Sequence, residues 1–350
     1  MIGLPMSYSL SAILIMLACT VGLFAAPNES DEKLSGNTIG LQLQFWTGTQ
    51  SDFYKSDLET RFFQDDLLRG QNSTTQPLAA AQWNNRWLNK PQFNLPVRAY
   101  YSPYFLPQLY FDASYFRVRG TITHFGLSDL PAPERTHINE LSGYERTSTT
   151  AGAAYNFMGY FRNDATSLLA LRAGFVREKL GFNYKPLAFS TSGVAVSLLD
   201  NPFQASASGL YGGIELTLPV LKRWSVTTRI DRSESLRGRM KAERTVFQPA
   251  SSGMQATYDR SEASYRLTRT DKLFALNFYA IVDFKVTIGY REMVYNVSYP
   301  GYTSYSISNS GGAIQIFPTS EVILDYFIYQ ESRREKMGNT MVGLEKIFYL

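Results

Sequence analysis

From residue 38 onward, apolar side chains recur at every second position over much of the chain. Ile39, Leu41, Leu43 and Phe45 share one parity, while Gly40, Gln42, Gln44 and Trp46 share the other. A period of two with one apolar and one polar face is that of a β-strand. The same alternation predicts strands over 93–101, 108–124, 143–158, 167–181, 207–218, 224–231, 263–282 and 284–291. Three more are expected: one ending in Ile314 and Ile316, one in which Val322, Leu324, Tyr326 and Ile328 oppose Glu321, Asp325 and Glu331, and one over 339–350. That makes twelve. Their apolar faces run for about ten residues, the length of a strand that crosses a bilayer at a tilt.

The connections carry a second pattern. Long segments at 47–92, 125–141, 182–206, 236–262 and 300–312 alternate with short turns marked by Pro, Gly or Asp. A soluble β-sandwich has no need of this alternation. An even strand number, short connections at one end and long ones at the other predict an all-β fold, a transmembrane antiparallel β-barrel with short periplasmic turns and long extracellular loops. Within the first long loop, Tyr54, Leu58, Phe62 and Leu68 have helical spacing. A helical turn or two is expected there, folded into the lumen or exposed.

The first 26 residues carry no charged side chain, and Leu10 to Phe24 is an apolar run followed by Ala25, Ala26 and Pro27. This predicts a cleaved secretory signal over 1–26, with 27–350 as the mature barrel. The run is shorter than the ~20 residues of a spanning helix, although a retained anchor is an alternative. Cys19, the only cysteine, follows Met16-Leu17-Ala18, so lipoprotein cleavage is a further alternative. The apolar stretch after Cys19 argues against it. Without Cys19 the chain has neither a disulfide nor a thiolate metal site, and no metal or cofactor is expected. With 23 Tyr, 23 Phe and a mean hydropathy of -0.19, the composition suits aromatic girdles around a wet interior. A net charge of +4 does not point to nucleic acid.

At the C-terminus, Val342, Leu344, Phe348 and Leu350 fall on one parity, Lys346 interrupts it, and Gly343 stands upstream. This resembles the closing-strand signal of bacterial outer-membrane β-barrels, porin-like proteins among them. Gly343 lies further from the end than in that signal, and the last residue is Leu rather than Phe. The resemblance covers only this strand. It implies that Phe348 and Leu350 form a C-terminal assembly signal, that the protein resides in a bacterial outer membrane, and that the secretion and barrel-assembly machinery are its partners.

The polar parity collects charges of both signs: Arg98, Asp112, Arg172, Glu215, Arg229, Asp231, Lys285, Arg291, Asp325 and Glu345. These lumen-lining candidates have two possible arrangements. They could border an aqueous pore and set its selectivity. Alternatively they could interlock and fill the lumen, because an unpaired buried charge costs several kcal/mol. The leading expectation is a channel for passive diffusion of small polar solutes. The runner-up is a non-conducting surface barrel, adhesive or structural. A lipid- or peptide-hydrolysing barrel would need His beside Ser or Asp. His124, which ends its strand near Ser128 and Asp129, and His137, in the connection that follows near Glu140, are its only candidates. No local motif of such enzymes is present, so no catalytic residue is assigned. Arg232, Arg237, Arg239, Lys241 and Arg244 form a basic cluster that could meet lipopolysaccharide phosphates, while Asp52, Asp57, Glu59, Asp65 and Asp66 make the first loop acidic. Outer-membrane lipid and lipopolysaccharide are therefore expected partners.

Overall fold

The computed structural model describes residues 37–51, 89–93, 96–106, 108–127, 137–158, 168–190, 193–196, 201–250, 253–281, 283–301, 303–310, 313–317 and 333–350. Its strands are β1 (Thr38–Ser51), β2 (Asn89–Phe93), β3 (Val97–Ser102), β4 (Leu109–Leu127), β5 (His137–Asn156), β6 (Leu168–Ser190), β7 (Gly193–Val196), β8 (Asn201–Leu221), β9 (Trp224–Ala250), β10 (Gly253–Ile281), β11 (Phe284–Ser298), β12 (Thr303–Ser310), β13 (Ala313–Phe317) and β14 (Arg333–Tyr349). Ten of them close an antiparallel ring in the order β1-β3-β4-β5-β6-β8-β9-β10-β11-β14, with β14 pairing back onto β1. The other four extend the wall at the end of the long connections. β2 pairs with β4 and β7 sits between β6 and β9; a turn at Gly301, whose φ of 69° suits glycine, leads from β11 into β12, which pairs with the upper part of β10 and with β13.

The ring thus has ten strands, not the expected twelve. β11 pairs with β14 from Phe284–Lys346 to Val297–Arg333, which leaves no room for strands between them. Ile314 and Ile316 lie in β13, off the ring. The segment around Asp325 lies outside the described residues, as do the expected signal 1–26 and the expected helical turns of the first loop. Three of the expected loops also prove to be largely strand, and in 300–312 it is Thr303–Ser310, β12, that pairs with β10. Residues 236–262 form the upper part of the β9–β10 hairpin, paired from Gly253–Ala250 down to Leu267–Leu236. Much of 182–206 belongs to β6 and β8, which pair from Tyr184–Asn201.

The reason lies in how the pattern changes along the barrel. Near the short turns, outward positions are apolar and exposed, as with Phe111, Leu171, Leu210, Ile214, Ile230, Phe274 and Ile288, and inward positions are polar. Beyond one level on the long strands β4, β6, β8, β9 and β10 the sidedness inverts. Outward positions become charged or hydroxylated: Arg117 on β4, Arg177 on β6, Ser208 on β8, Arg232 on β9 and Lys272 on β10. Inward positions become apolar: Val118, Leu180, Phe203, Leu236, Met240, Tyr265, Leu267, Met293, Tyr295 and Tyr299 pack into one buried cluster within the ring. The apolar belt is about 25 Å tall, from its residue span at ~3.3 Å per residue and a ~40° strand tilt. A register shift at Leu267/Arg269 against β9 keeps Leu236 facing inward beyond the change of level.

Glycine shapes the wall where a large interior side chain must lie flat. Gly152 and Gly174 face each other across β5 and β6, and the Tyr211 ring from β8 lies where their Cβ atoms would be. The ring closes at the chain's own end. Phe348 is opposite Ile39, and the Leu350 backbone N–H donates to the Asn37 carbonyl at 2.9 Å. Both Phe348 and Leu350 face outward and are exposed. Deleting Phe348–Leu350 removes the lower end of this seam. The expected result is a sharp fall in the fraction of chain that refolds to a heat-modifiable band on a gel; full recovery of that band would show that closure does not depend on these residues.

Candidate functional site

Alternation places one charged residue after another on the inner wall, and the ring brings them face to face. Arg172 on β6 is the hub. Its Nη2 donates to Asp112 Oδ2 on β4 at 2.8 Å, its Nη1 to Glu215 Oε2 on β8 at 2.7 Å, and its Nε to Asp231 Oδ1 on β9 at 3.0 Å. Arg98 on β3 reaches the same carboxylates, 3.3 Å from Asp112 Oδ2 and 3.1 Å from Glu215 Oε2. Arg229 lies 3.3 Å from Asp231 Oδ2. Asp231 can lean over β8 because Gly213 has no Cβ there. Three guanidiniums thus face three carboxylates.

A second cluster adjoins the first across the β9–β10 pair, where Asp271 stands opposite Asp231. Arg291 grips Asp271 with two bonds, 2.9 Å to Oδ1 and 2.6 Å to Oδ2, and Arg269 adds a third at 2.7 Å. Arg269 also lies 3.3 Å from Glu178 Oε1, which accepts the Ser148 hydroxyl at 2.6 Å. The Arg146 guanidinium is 3.9 Å from the centre of the Tyr295 ring, and Arg291 lies over Trp46 and Phe116. Such stacking suits the planar, weakly hydrated guanidinium. Towards the short turns, Lys285 Nζ meets Glu345 Oε2 at 2.8 Å and the Tyr100 hydroxyl donates to Glu345 Oε1 at 3.0 Å. Neutral groups join these levels in a chain: the Trp46 indole donates to Gln44, Gln44 to Gln42, Gln42 to Thr287, Thr287 to Asn277 and Asn277 to Thr227.

These contacts cross the lumen. β3 and β8, which hold Arg98 and Glu215, stand four places apart in a ring of ten. β5 and β11, which hold Arg146 and Tyr295, stand five apart and so are diametrically opposed. A ring near eight strands has an interior that side chains can fill. The side chains of Arg172 and Asp112 are 3% and 2% exposed, values of a packed interior rather than a water-lined wall.

Nine of the ten sequence-derived candidates lie on the inner wall, and Asp325 is outside the described residues. Arg98, Asp112, Arg172, Glu215, Arg229 and Asp231 meet in one cluster, Arg291 belongs to the second, and Lys285 and Glu345 pair with each other. Arg146, Glu178, Arg269 and Asp271 also take part, although sequence reasoning did not single them out. Parity would have found them: Glu178 continues the row of Arg172, and Arg269 and Asp271 continue that of Asn277. Both histidines are in strands: His124, at the end of the expected strand 108–124, lies within β4, while His137, expected in the connection, opens β5. His124 stands opposite Glu140, and His137 opposite Leu127.

No protein family and no curated protein matches the chain. Among solved structures it is similar to the outer membrane protease OmpT from Escherichia coli, with 9% identity over 91% of this chain and 99% of that one and a TM-score of 0.42. It is also similar to the toluene transporter TodX from Pseudomonas putida, with 12% identity over 95% and 93% and a TM-score of 0.33. The Ralstonia pickettii toluene transporter TbuX gives 13% identity over 94% and 92% and a TM-score of 0.30. The barrel of this chain is established by its own strand register.

Replacing Arg172 with Met leaves three carboxylates with two arginines in the same buried volume. Loss of a buried partner costs about 3–5 kcal/mol. The urea midpoint for unfolding in detergent should fall accordingly. A loss below about 1 kcal/mol, the worth of a hydrated pair, would contradict the burial described.

Proposed function

We propose that this protein is an integral barrel of a bacterial outer membrane whose lumen is closed, a non-conducting surface barrel that works through its outer wall and outer end. The observation that carries this reading is the cross-lumen network of Arg98, Arg172, Asp112, Glu215 and Asp231, buried and mutually paired. An aqueous channel for small polar solutes needs those groups hydrated. Here each has found a protein partner instead, and the apolar cluster of Phe203, Leu236, Met240, Tyr265 and Tyr299 stands above them in the same lumen.

The exposed apolar belt supports membrane residence. It has the ~25 Å height of an outer-membrane hydrocarbon layer, and its Tyr101, Tyr104, Phe105, Tyr290 and Tyr349 suit the interfacial girdles of such barrels. With the short turns and both described chain ends on one side, that side is the periplasmic one, and β9 and β10 then project outward. At ~3.3 Å per residue and a ~40° tilt, the part of β10 beyond Lys272 rises on the order of 45 Å. Assembly would use the barrel-assembly machinery, with Phe348 and Leu350 at the closing strand. Adhesion or structural support in the membrane is the role that fits a closed lumen and a tall outer wall.

The refolded chain, checked for gel mobility and inserted in a planar bilayer, is expected to give no steady conductance steps. Steady open steps whose ion selectivity changes in Arg229→Ser or Arg291→Ser would overturn the closed lumen and restore the channel for small polar solutes.

A further inference from the structure

Above the apolar belt, the outer wall carries many cations, and most have carboxylate partners. Glu145 takes Arg117 and Arg119, Glu234 takes Arg232, Glu262 takes Arg260 and Lys241, and Glu292 takes Lys272 and Lys336. One region differs. Arg177 and Lys179 on β6, Arg237 and Arg239 on β9, and Arg266 on β10 are all exposed, and none lies in an ion pair with a carboxylate among the described residues. Register makes them one patch. Arg177 is opposite Ser208 and Ser208 opposite Arg237, which is opposite Arg266; one step higher, Lys179 is opposite Ser206, and Ser206 opposite Arg239.

The strand between the cations, β8, presents the short side chains Ser206 and Ser208 outward at this level. Its outward column reads Ser206, Ser208, Leu210, Gly212, so a shallow trough runs between the Arg177/Lys179 wall and the Arg237/Arg239 wall. Downward the trough passes directly onto the apolar belt, where Phe175 stands opposite Leu210, and Leu210 is 76% exposed. A molecule lying along it would meet hydroxyls and five guanidinium or ammonium groups at its upper part and bare hydrocarbon wall at its lower part.

We propose that this trough on β6, β8, β9 and β10 binds a phosphorylated, acylated saccharide lipid of the outer leaflet, with its phosphates on Arg177, Lys179, Arg237, Arg239 and Arg266 and its acyl chains along Phe175 and Leu210. Guanidinium forks match phosphate oxygens with two bonds each, and the serine hydroxyls suit sugar or phosphate oxygens. Arg237 donates to the Ser235 hydroxyl and Glu262 acts on Arg239 from a distance, but no carboxylate among the described residues is in contact with any of the five cations, so they repel one another across three strands and a dianionic headgroup removes that repulsion. A soluble polyanion would use the cations but not the apolar lower half, so the continuity of the two selects the lipid. This proposal rests on the reading of the belt as membrane-embedded, but not on the closed lumen: conductance of the barrel would overturn the latter and leave this site intact.

The test uses the full chain refolded in maltoside micelles and native mass spectrometry. The probes are bisphosphorylated lipid A, its dephosphorylated form and inorganic phosphate. The barrel is expected to retain the bisphosphorylated lipid. The variant Arg237→Ser/Arg239→Ser/Arg266→Ser should weaken its retention by about tenfold or more, as expected when charge-assisted contacts are lost. The variant Lys272→Ser/Lys336→Ser, whose cations already serve Glu292, should retain it as the unmodified chain does. Gel mobility confirms that each variant is folded. Equal retention of the dephosphorylated lipid, displacement by inorganic phosphate alone, or undiminished binding by the folded triple variant would each overturn the proposal.

Discussion

Arg172 holds together three strands that are not all neighbours, because its guanidinium bonds to Asp112, Glu215 and Asp231 at once. A ring of ten strands encloses a space that long side chains can span, so a charge on the inner wall meets the opposite wall before it meets bulk water. Under that constraint, charges survive only as a balanced set. Three arginines stand against three carboxylates around Arg172, and Arg291 and Arg269 share Asp271. A hydrophobic filling of equal volume would have served stability as well or better. The ionic filling has another consequence: Asp112 and Glu215 each accept from Arg98 on β3 and Arg172 on β6, and Asp271 accepts from Arg269 on β10 and Arg291 on β11, so the relative heights of those strands are fixed.

The second organising feature is the level at which the wall exchanges its faces. Below it the outward side chains are hydrocarbon and the inward ones polar, as a lipid surround demands. Above it the outward side chains are charged, and the interior is a cluster of Phe, Leu, Met and Tyr, as in any protein surrounded by water. One continuous sheet thus carries both patterns, hydrocarbon outward below and charge outward above. The long β9–β10 hairpin carries both regimes along single strands, and the unpaired basic trough sits where they meet.

Much of this was legible in the alternation of residues. Parity alone placed Arg98, Asp112, Arg172, Glu215, Arg229, Asp231, Lys285, Arg291 and Glu345 on the inner wall, because a period of two leaves each side chain only two directions. Partners were not legible. Whether Arg98 faces water or Glu215 depends on the ring's diameter, and the strand count was two too high. That count erred because alternation at Ile314 and Ile316 is the same in a ring strand as in the short β12–β13 hairpin. Residues 236–262 looked like a loop because a template with apolar side chains outward fails where the faces exchange. Arg237, Arg239 and Lys241 alternate with Leu236, Gly238 and Met240 as regularly as any lower strand, only with the opposite sense.

The central claim is that charges facing one another across the lumen are dry and directly bonded. A double-mutant cycle on Arg98→Met and Glu215→Gln, measured by urea unfolding in detergent, tests it most directly. These residues lie on strands four places apart and touch only through the lumen. A bonded, buried pair should give a coupling of about 1.5–3 kcal/mol. A coupling near zero, with each single substitution costing less than about 1 kcal/mol, is what water-filled space between the walls would give, and it would contradict the account.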